Sequence, residues 1–474
     1  MFWSVTERFG NQGIQFLIGL MLARLLMPED YGLLGMLLIF ISIAQVFVEG
    51  GFSSALIRKR DVSDRDYSTV FWFNLFVSIT CYILLFFAAP FIADFFEEPE
   101  LILLARVVGL NIMINSLGII QKTILIKDLN FKSQAKINLT SILVSGLIGV
   151  YCAYVGYGVW SLVIQNISRN LFMNVSLWFS GNWRPIKAFS TKSFKELFGF
   201  GSNLMFALIL NTISEQLNSI VIGKIYSAKS LGFYTRANQF QKLPVSSIYG
   251  ATGAVCYPVL AQLQNDQARL KEGYRSMIKL IAFILFPVMA ILGAVSEPMI
   301  RVILTDKWLP TVPILQILCI VGAFYPLHAI NLDILKIKGR TDILFRMQII
   351  KQAIHVVMII VCCRWGVIGL VWGEVVVNVI SYYINTFFSK RFLGYSLGDQ
   401  LRDLYSIVAI SFLTLAFVVA VNYFIKSQYL QLFVSPVLGV AFYVFLAYFF
   451  RIKELFSIKS IAFNLLHKKK AFSL

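Results

Sequence analysis

Two pairs of apolar segments carry polar side chains at helical spacing. Asn11 and Gln15 follow Glu7 at intervals of four, and Asn170 and Asn174 follow Asn166 in the same way. Asn211 and Glu215 stand four apart, and Glu374, Asn378, Ser381 and Asn385 are spaced four, three and four. Such intervals set the side chains on one face of a helix. Carboxamides in apolar helices either hydrogen-bond across to neighbours and hold a bundle together, or line a water-filled cavity. Cations lie in the same kind of segment: Arg24, Arg106, Lys122, Arg169 and Lys351, the last with His355 four residues on. A guanidinium offers two parallel N–H donors to a phosphate, so this set suits an anionic ligand. The alternative for each cation is a structural ion pair. Arg24 and Lys122, near segment ends, can instead extend their heads to the interface. In-segment acids are fewer: Glu49, Glu215, Glu374 and Asp333. A buried carboxyl can carry a proton or hold sodium, which makes Glu215 and Glu374 the candidate ion-coupling residues. Their alternative is a pairing with a cation such as Lys351 that only holds the bundle together. Substrate-binding candidates are Arg24, Arg106, Arg169, Lys351, Asn166, Asn170 and Asn378.

The elements that position these residues follow from composition. Of 474 residues, 58% are hydrophobic and 14% charged, against about 45–50% and 25% in soluble domains. Long continuous apolar runs without period-2 alternation exclude an outer-membrane barrel, and the composition excludes disorder and a secreted disulfide scaffold. Spans are expected near 4–26, 34–57, 70–93, 102–125, 137–155, 159–179, 198–222, 244–262, 278–300, 312–334, 344–363, 367–389, 403–424 and 432–450. The fold class is therefore all-α and polytopic, with about 14 transmembrane helices at about 20 residues each. The longest expected connections, 181–197, 223–243 and 263–277, leave no room for a soluble catalytic domain. There is no P-loop, and Asp64-Arg65-Asp66 lies in a short basic stretch as solvated charge. The six cysteines lie in apolar segments with no C-x-x-C pair and read as packing residues, and the three histidines are scattered, so no metal, cofactor or disulfide is expected.

The net charge of +18 reads as cytoplasmic loop bias, with no nucleic-acid partner implied. Lys and Arg gather after even-numbered spans, as at Arg58, Lys59, Arg60 and Arg65, which sets both termini in the cytoplasm. One outer segment breaks the trend: Lys224, Lys229, Arg236 and Lys242 follow the seventh span. The first span carries Glu7 and Arg8 and no clear cleavage site, so it is expected to be retained. The stretch 451–474 ends in Lys468, Lys469 and Lys470 and reads as a basic cytoplasmic tail, either plain or lying on the anionic leaflet.

Landmarks recur at an offset of about 200 residues. Ala23-Arg24-Leu25-Leu26 with Gly32 matches Gly223-Lys224-Ile225-Tyr226 with Gly232, and Gly158-Val159 with Leu162-Val163 matches Gly366-Val367 with Leu370-Val371. A repeat of six spans, an even number, is parallel, related by an axis along the membrane normal. The expected organisation is an N-lobe over 1–180, a cytoplasmic linker over 181–197, a C-lobe over 198–390, two further helices over 391–450, and the tail. At these offsets Asn11 superposes on Asn211, Gln15 on Glu215, Asn166 on Glu374 and Asn170 on Asn378, so the four stripes come from two equivalent helix pairs. A hydrophilic cavity between two matched lobes is a transporter architecture.

The stretches LARLLMPEDYGLLGM (22–36), GFSSALIRKRDVSDRDYSTVFWFNL (51–75), GYGVWSLV (156–163) and KWLPTVPILQILCIVG (307–322) resemble the bacterial polysaccharide transporter family. These are lipid-linked oligosaccharide flippases of the Wzx and colanic-acid-exporter kind, within the multidrug/oligosaccharidyl-lipid/polysaccharide exporter superfamily. The resemblance implies two six-helix lobes with two added helices, in the bacterial inner membrane. It implies transfer of undecaprenyl-diphosphate-linked glycan to the periplasmic leaflet, for capsule, O-antigen, lipopolysaccharide or exopolysaccharide. Implied partners are that lipid-linked oligosaccharide, membrane lipids, and the polymerase and export machinery; no enzyme activity is implied. Relatives commonly carry a short polar or basic leader, whereas this chain opens at Met1-Phe2-Trp3, so a start upstream of Met1 is an expectation of the resemblance. The alternative within the superfamily is a multidrug exporter, which would favour acids for cationic drugs.

Overall fold

The computed structural model describes residues 2–59, 61–337 and 340–456. The basic tail beyond Phe456 and the side chains of Glu7, Arg8 and Cys256 lie outside the described residues. Seventeen α-helices follow one another: α1 (Phe2–Leu25), α2 (Pro28–Glu49), α3 (Phe52–Arg58), α4 (Asp64–Phe96), α5 (Leu101–Ser116), α6 (Ile119–Lys127), α7 (Phe131–Val155), α8 (Val159–Ser180), α9 (Thr191–Ile225), α10 (Ala228–Gln262), α11 (Gln267–Ala294), α12 (Ser296–Ile303), α13 (Thr311–Ile337), α14 (Thr341–Cys362), α15 (Gly366–Leu393), α16 (Leu397–Phe424) and α17 (Gln428–Phe449). The described residues contain no strand. Among the described residues eight stretches are long and apolar enough to cross a membrane unaided, one of them spanning α14 and α15 together, and a ninth is the α5–α6 pair, bent by 41°. Taking α2–α3, α5–α6 and α11–α12 as single passes gives fourteen, the expected number. Of the remaining passes, α1, α8 and α9 carry polar stripes, which lowers their hydropathy. Their backbone bonds still close internally, as a helix at membrane depth requires.

Two boundaries differ from expectation. The stretch 223–243 is not a loop: α9 runs to Ile225 and α10 begins at Ala228, so only Tyr226 and Ser227 connect them. Likewise α11 begins at Gln267, where Asp266 accepts from the Arg269 N–H at 3.1 Å as N-cap. The charged first turns of both helices hide their start from a hydropathy reading, because helix formation needs backbone bonds and caps, whatever the side-chain polarity. The α2–α3 break has a plain cause: Gly50 and Gly51 take φ of 52° and 70°, left-handed values that end a helix.

The chain forms two compact units, Met1–Thr235 and Arg236–Leu474. In the first, α7 packs between α1 and α8, α4 packs on α5, and α2 on α9. Ser141, Ser145 and Gly149 recur every four residues on α7, and small residues let membrane helices approach closely. Trp72 Nε1 donates to the Ile186 carbonyl at 2.9 Å, and the Ser190 N–H donates to Thr69 Oγ1 at 3.0 Å. These bonds strap the 181–190 connection to the start of α4. Lys59 adds ion pairs to Asp66 at 3.2 Å and Glu196 at 3.1 Å. In the second unit, α11 packs on α13 and α16, and α15 lies against α13 and α14. Tyr274, Ile278, Ile281, Ile334 and Ile407 form its core.

Candidate functional site

In the first unit the polar stripes of α1 and α8 meet. Gln15, its carboxamide oxygen turned to α8, accepts both terminal N–H groups of Arg169, at 2.7 and 2.8 Å. Asn170, one residue on, donates to Asn111 of α5 at 2.9 Å, and Asn111 is buried. Asn166 and Asn174 turn back on their own helix, donating to the carbonyls of Leu162 at 3.0 Å and Asn170 at 2.8 Å. Asn11 keeps a buried Oδ1 without a hydrogen-bond partner among the described residues. Arg106 lies apart from this group, its guanidinium 4.3 Å over the Phe86 ring of α4. Arg24 is exposed in the last turn of α1.

In the second unit Lys351 of α14 donates to Asn385 of α15, whose amide lies 3.2 Å from His328 Nδ1 on α13. Asn378 donates to the Glu374 carbonyl at 2.9 Å, so these two are joined through the helix backbone. A larger buried network lies beside Lys351's partner. The Asn331 side-chain oxygen accepts from the Tyr274 hydroxyl, from Ser389 at 2.5 Å and from Gln400 at 3.4 Å. Tyr382 donates to Gln400 at 2.7 Å. Residues on α11, α13, α15 and α16 are thereby tied together in a fully satisfied polar cluster. His328, Asn331 and Tyr274 escaped the reading of the sequence. The first two share a face of α13 at an interval of three, a signal that was there to find. Tyr274 falls in the expected 263–277 connection, and its burial follows from the early start of α11.

The α9 pair stays local. Asn211 donates to Glu215 Oε1 at 2.9 Å, and both side chains are exposed. Among the described residues no carboxylate lies within ion-pair distance of Arg106, Arg169 or Lys351. The second unit also holds a groove of about 1230 Å³ along α11, α13 and α16, walled by Phe286, Met289, Phe324, Leu404 and Phe412.

Residues 21–313 match the family described as polysaccharide biosynthesis protein. The chain belongs to the polysaccharide biosynthesis protein family. Curated relatives of this family member extend the match. It is 26% identical over 413 residues to the teichuronic acid biosynthesis protein TuaB of Bacillus subtilis (strain 168), covering 85% of each chain. It is 24% identical to the lipopolysaccharide biosynthesis protein WzxC of Escherichia coli (strain K12), covering 90% of this chain and 87% of that one. Among solved structures, the lipid II flippase MurJ in an inward closed conformation aligns at TM-score 0.80 and 19% identity, over 95% of this chain and 99% of the other. An inward-facing MATE-family multidrug transporter aligns at TM-score 0.64 and 15% identity, over 82% and 94%. At these identities the structural likeness shows the fold alone, that of an all-α multi-pass membrane protein.

Proposed function

We propose that this polysaccharide biosynthesis protein is a carrier, a flippase that moves undecaprenyl-diphosphate-linked oligosaccharide from the cytoplasmic to the periplasmic leaflet by alternating access. Its place is the bacterial inner membrane, with both termini in the cytoplasm, and its product feeds capsule, O-antigen or exopolysaccharide assembly. The observation that carries this reading is how the in-span cations are held. Arg169 rests on Gln15, Lys351 on Asn385 and Arg106 on the Phe86 ring. All three partners are uncharged. Positive charge left uncompensated at membrane depth is costly and marks a functional path. A diphosphate supplies the missing negative charge, and Arg169 can offer it the same two-pronged fork that now holds Gln15. The apolar groove of the second unit suits an isoprenoid chain. The names of the curated relatives support a polysaccharide precursor as cargo.

On this reading 1–180 and 198–390 act as the two lobes, and Asn166, Asn170, Asn378 and Arg24 line the path with the three cations. Glu215 and Glu374 carry the coupling ion, because their repeat equivalents Gln15 and Asn166 cannot titrate. An inside-negative potential already favours outward movement of a diphosphate, by about 4–5 kcal/mol for two charges at 100 mV. Coupling therefore serves mainly to reset the empty carrier. Proteoliposomes with a fluorescent polyprenyl-diphosphate oligosaccharide, at clamped potential and with imposed proton or sodium gradients, test both parts. Wild type moves the lipid, and the double variant Glu215→Gln, Glu374→Gln loses the gradient response. No movement of the lipid by wild type overturns the flippase reading; an unchanged gradient response in the double variant removes both acids from coupling.

A further inference from the structure

Gly32 and Gly232 hold equivalent places in the two copies of the repeat, as do Pro28 and Ala228, and Glu29 and Lys229. In the first compact unit these positions meet. A Cβ on Gly32 would fall 1.7 Å from the backbone oxygen of Ala228, and one on Gly232 would fall 1.9 Å from that of Pro28. The first turns of α2 and α10 thus cross backbone to backbone. The contact is reciprocal: 32 meets 228 and 232 meets 28, as a two-fold relation between equivalent elements demands. Next to such an axis a residue faces its own equivalent, and there Glu29 and Lys229 form an ion pair at 3.2 Å. Identical residues there would repel; opposite charges attract. A second pair flanks the crossing, where Lys224 near the end of α9 meets Glu97 at the C-cap of α4 at 2.7 Å. Under the crossing, Met36 is buried at 1% exposure and packs beneath Gly223.

We infer that this crossing is the periplasmic gate of the carrier, sealed by Gly32 and Gly232 and latched by Glu29–Lys229 and Glu97–Lys224. The side of the membrane rests on the topology proposed above. The latch accounts for Lys224 and Lys229, two of the four cations that break the positive-inside trend: their counter-charges are acids at the ends of α2 and α4. Both pairs are solvent-exposed and individually weak, which suits a contact that must part once in each transport cycle. The glycines set how tightly the helix starts close, and the ion pairs bias them shut.

The test uses the full chain in spheroplasts, with the six native cysteines replaced and Met36→Cys as reporter beneath the crossing. A membrane-impermeant maleimide is added from outside. The parent labels slowly. Glu29→Lys sets like charges against each other and raises the labelling rate about fivefold. Adding Lys229→Glu restores the pair in reverse and returns the parent rate. Gly32→Leu props the helix starts apart and labels faster still. Should Gly32→Leu fail to reach the membrane, the charge-swap pair decides alone. Equal labelling rates in the parent and Glu29→Lys, or a double swap no slower than the single reversal, overturn the latch. Labelling needs no cargo, so the latch and the flippase reading fail separately.

Discussion

Arg169 of α8 closes both terminal N–H arms on the carboxamide oxygen of Gln15 of α1, at 2.7 and 2.8 Å. A neutral acceptor satisfies the donors and leaves the positive charge standing. Arg169→Ala should cut flipping at least tenfold with unchanged membrane level, and Arg169→Lys should restore part of it, since charge remains without the fork. Gln15→Glu is the sharper variant. It neutralises Arg169 in place, so flipping falls although the fold gains an ion pair. Full flipping in Gln15→Glu would show that the free charge is not used.

Lys351 is held by Asn385, which in turn contacts His328. Asn385→Asp should capture the ammonium as Gln15→Glu captures the guanidinium, and lower transport with no loss of protein. Lys351→Met keeps the side-chain volume and removes the charge, and should reduce the rate by a similar factor. Transport assays of both in proteoliposomes check this. A loss in Lys351→Met alone would mean that the charge acts through something other than its availability.

The Asn331 oxygen gathers three donors in the core of the second unit. Asn331→Leu takes the acceptor from Gln400 Nε2 and leaves Tyr274 and Ser389 only each other and the Asn385 carbonyl, all three side chains being fully buried. Leaving buried donors unsatisfied costs about 1–3 kcal/mol each, so the detergent-solubilised melting temperature should fall by several degrees. Tyr274→Phe removes one donor and should cost less. Equal melting temperatures in all three proteins would contradict the network.

The Lys224 ammonium beside Glu97 holds its carboxyl below the usual carboxylate range. A lowered folded-state value means that the pair contributes above the ordinary carboxylate range and is lost as pH falls through that lowered value. The labelling rate of Met36→Cys, taken relative to a fully exposed reference cysteine at the same pH to cancel the thiol's own titration, should therefore be flat from pH 8 to 5 and rise only below about pH 4. Glu97→Gln should already label faster at pH 7. A rise centred near pH 6 would point to a different group.

The proposed topology, fourteen passes with both ends inside, sets the sidedness of every site. Reporter fusions after Ser180 and after Leu474 should read cytoplasmic, and one after Glu98 periplasmic. A periplasmic signal at Leu474 would give the wrong parity.

Much of this protein follows from the sequence alone, because the signals involved are local. Apolar runs of span length, the four-residue spacing of Asn166, Asn170 and Asn174, and the offset that equates Gly32 with Gly232 can all be read along one strand of text. Helical periodicity then fixes which side chains share a face. Partner choice is different. That Arg169 takes Gln15, Lys351 takes Asn385 and Arg106 takes the Phe86 ring depends on which helices adjoin and at what height, and no local spacing encodes that. The sequence also hid the starts of α10 and α11, since hydropathy registers apolarity whereas a helix is made by backbone bonds. Tyr274 was lost with them. The two-fold meeting of Glu29 with Lys229 needed both levels. The repeat supplied the equivalence, and only the packed helices brought the equivalent residues within 3.2 Å, because a pair 200 positions apart in the chain meets only when the intervening helices have folded back.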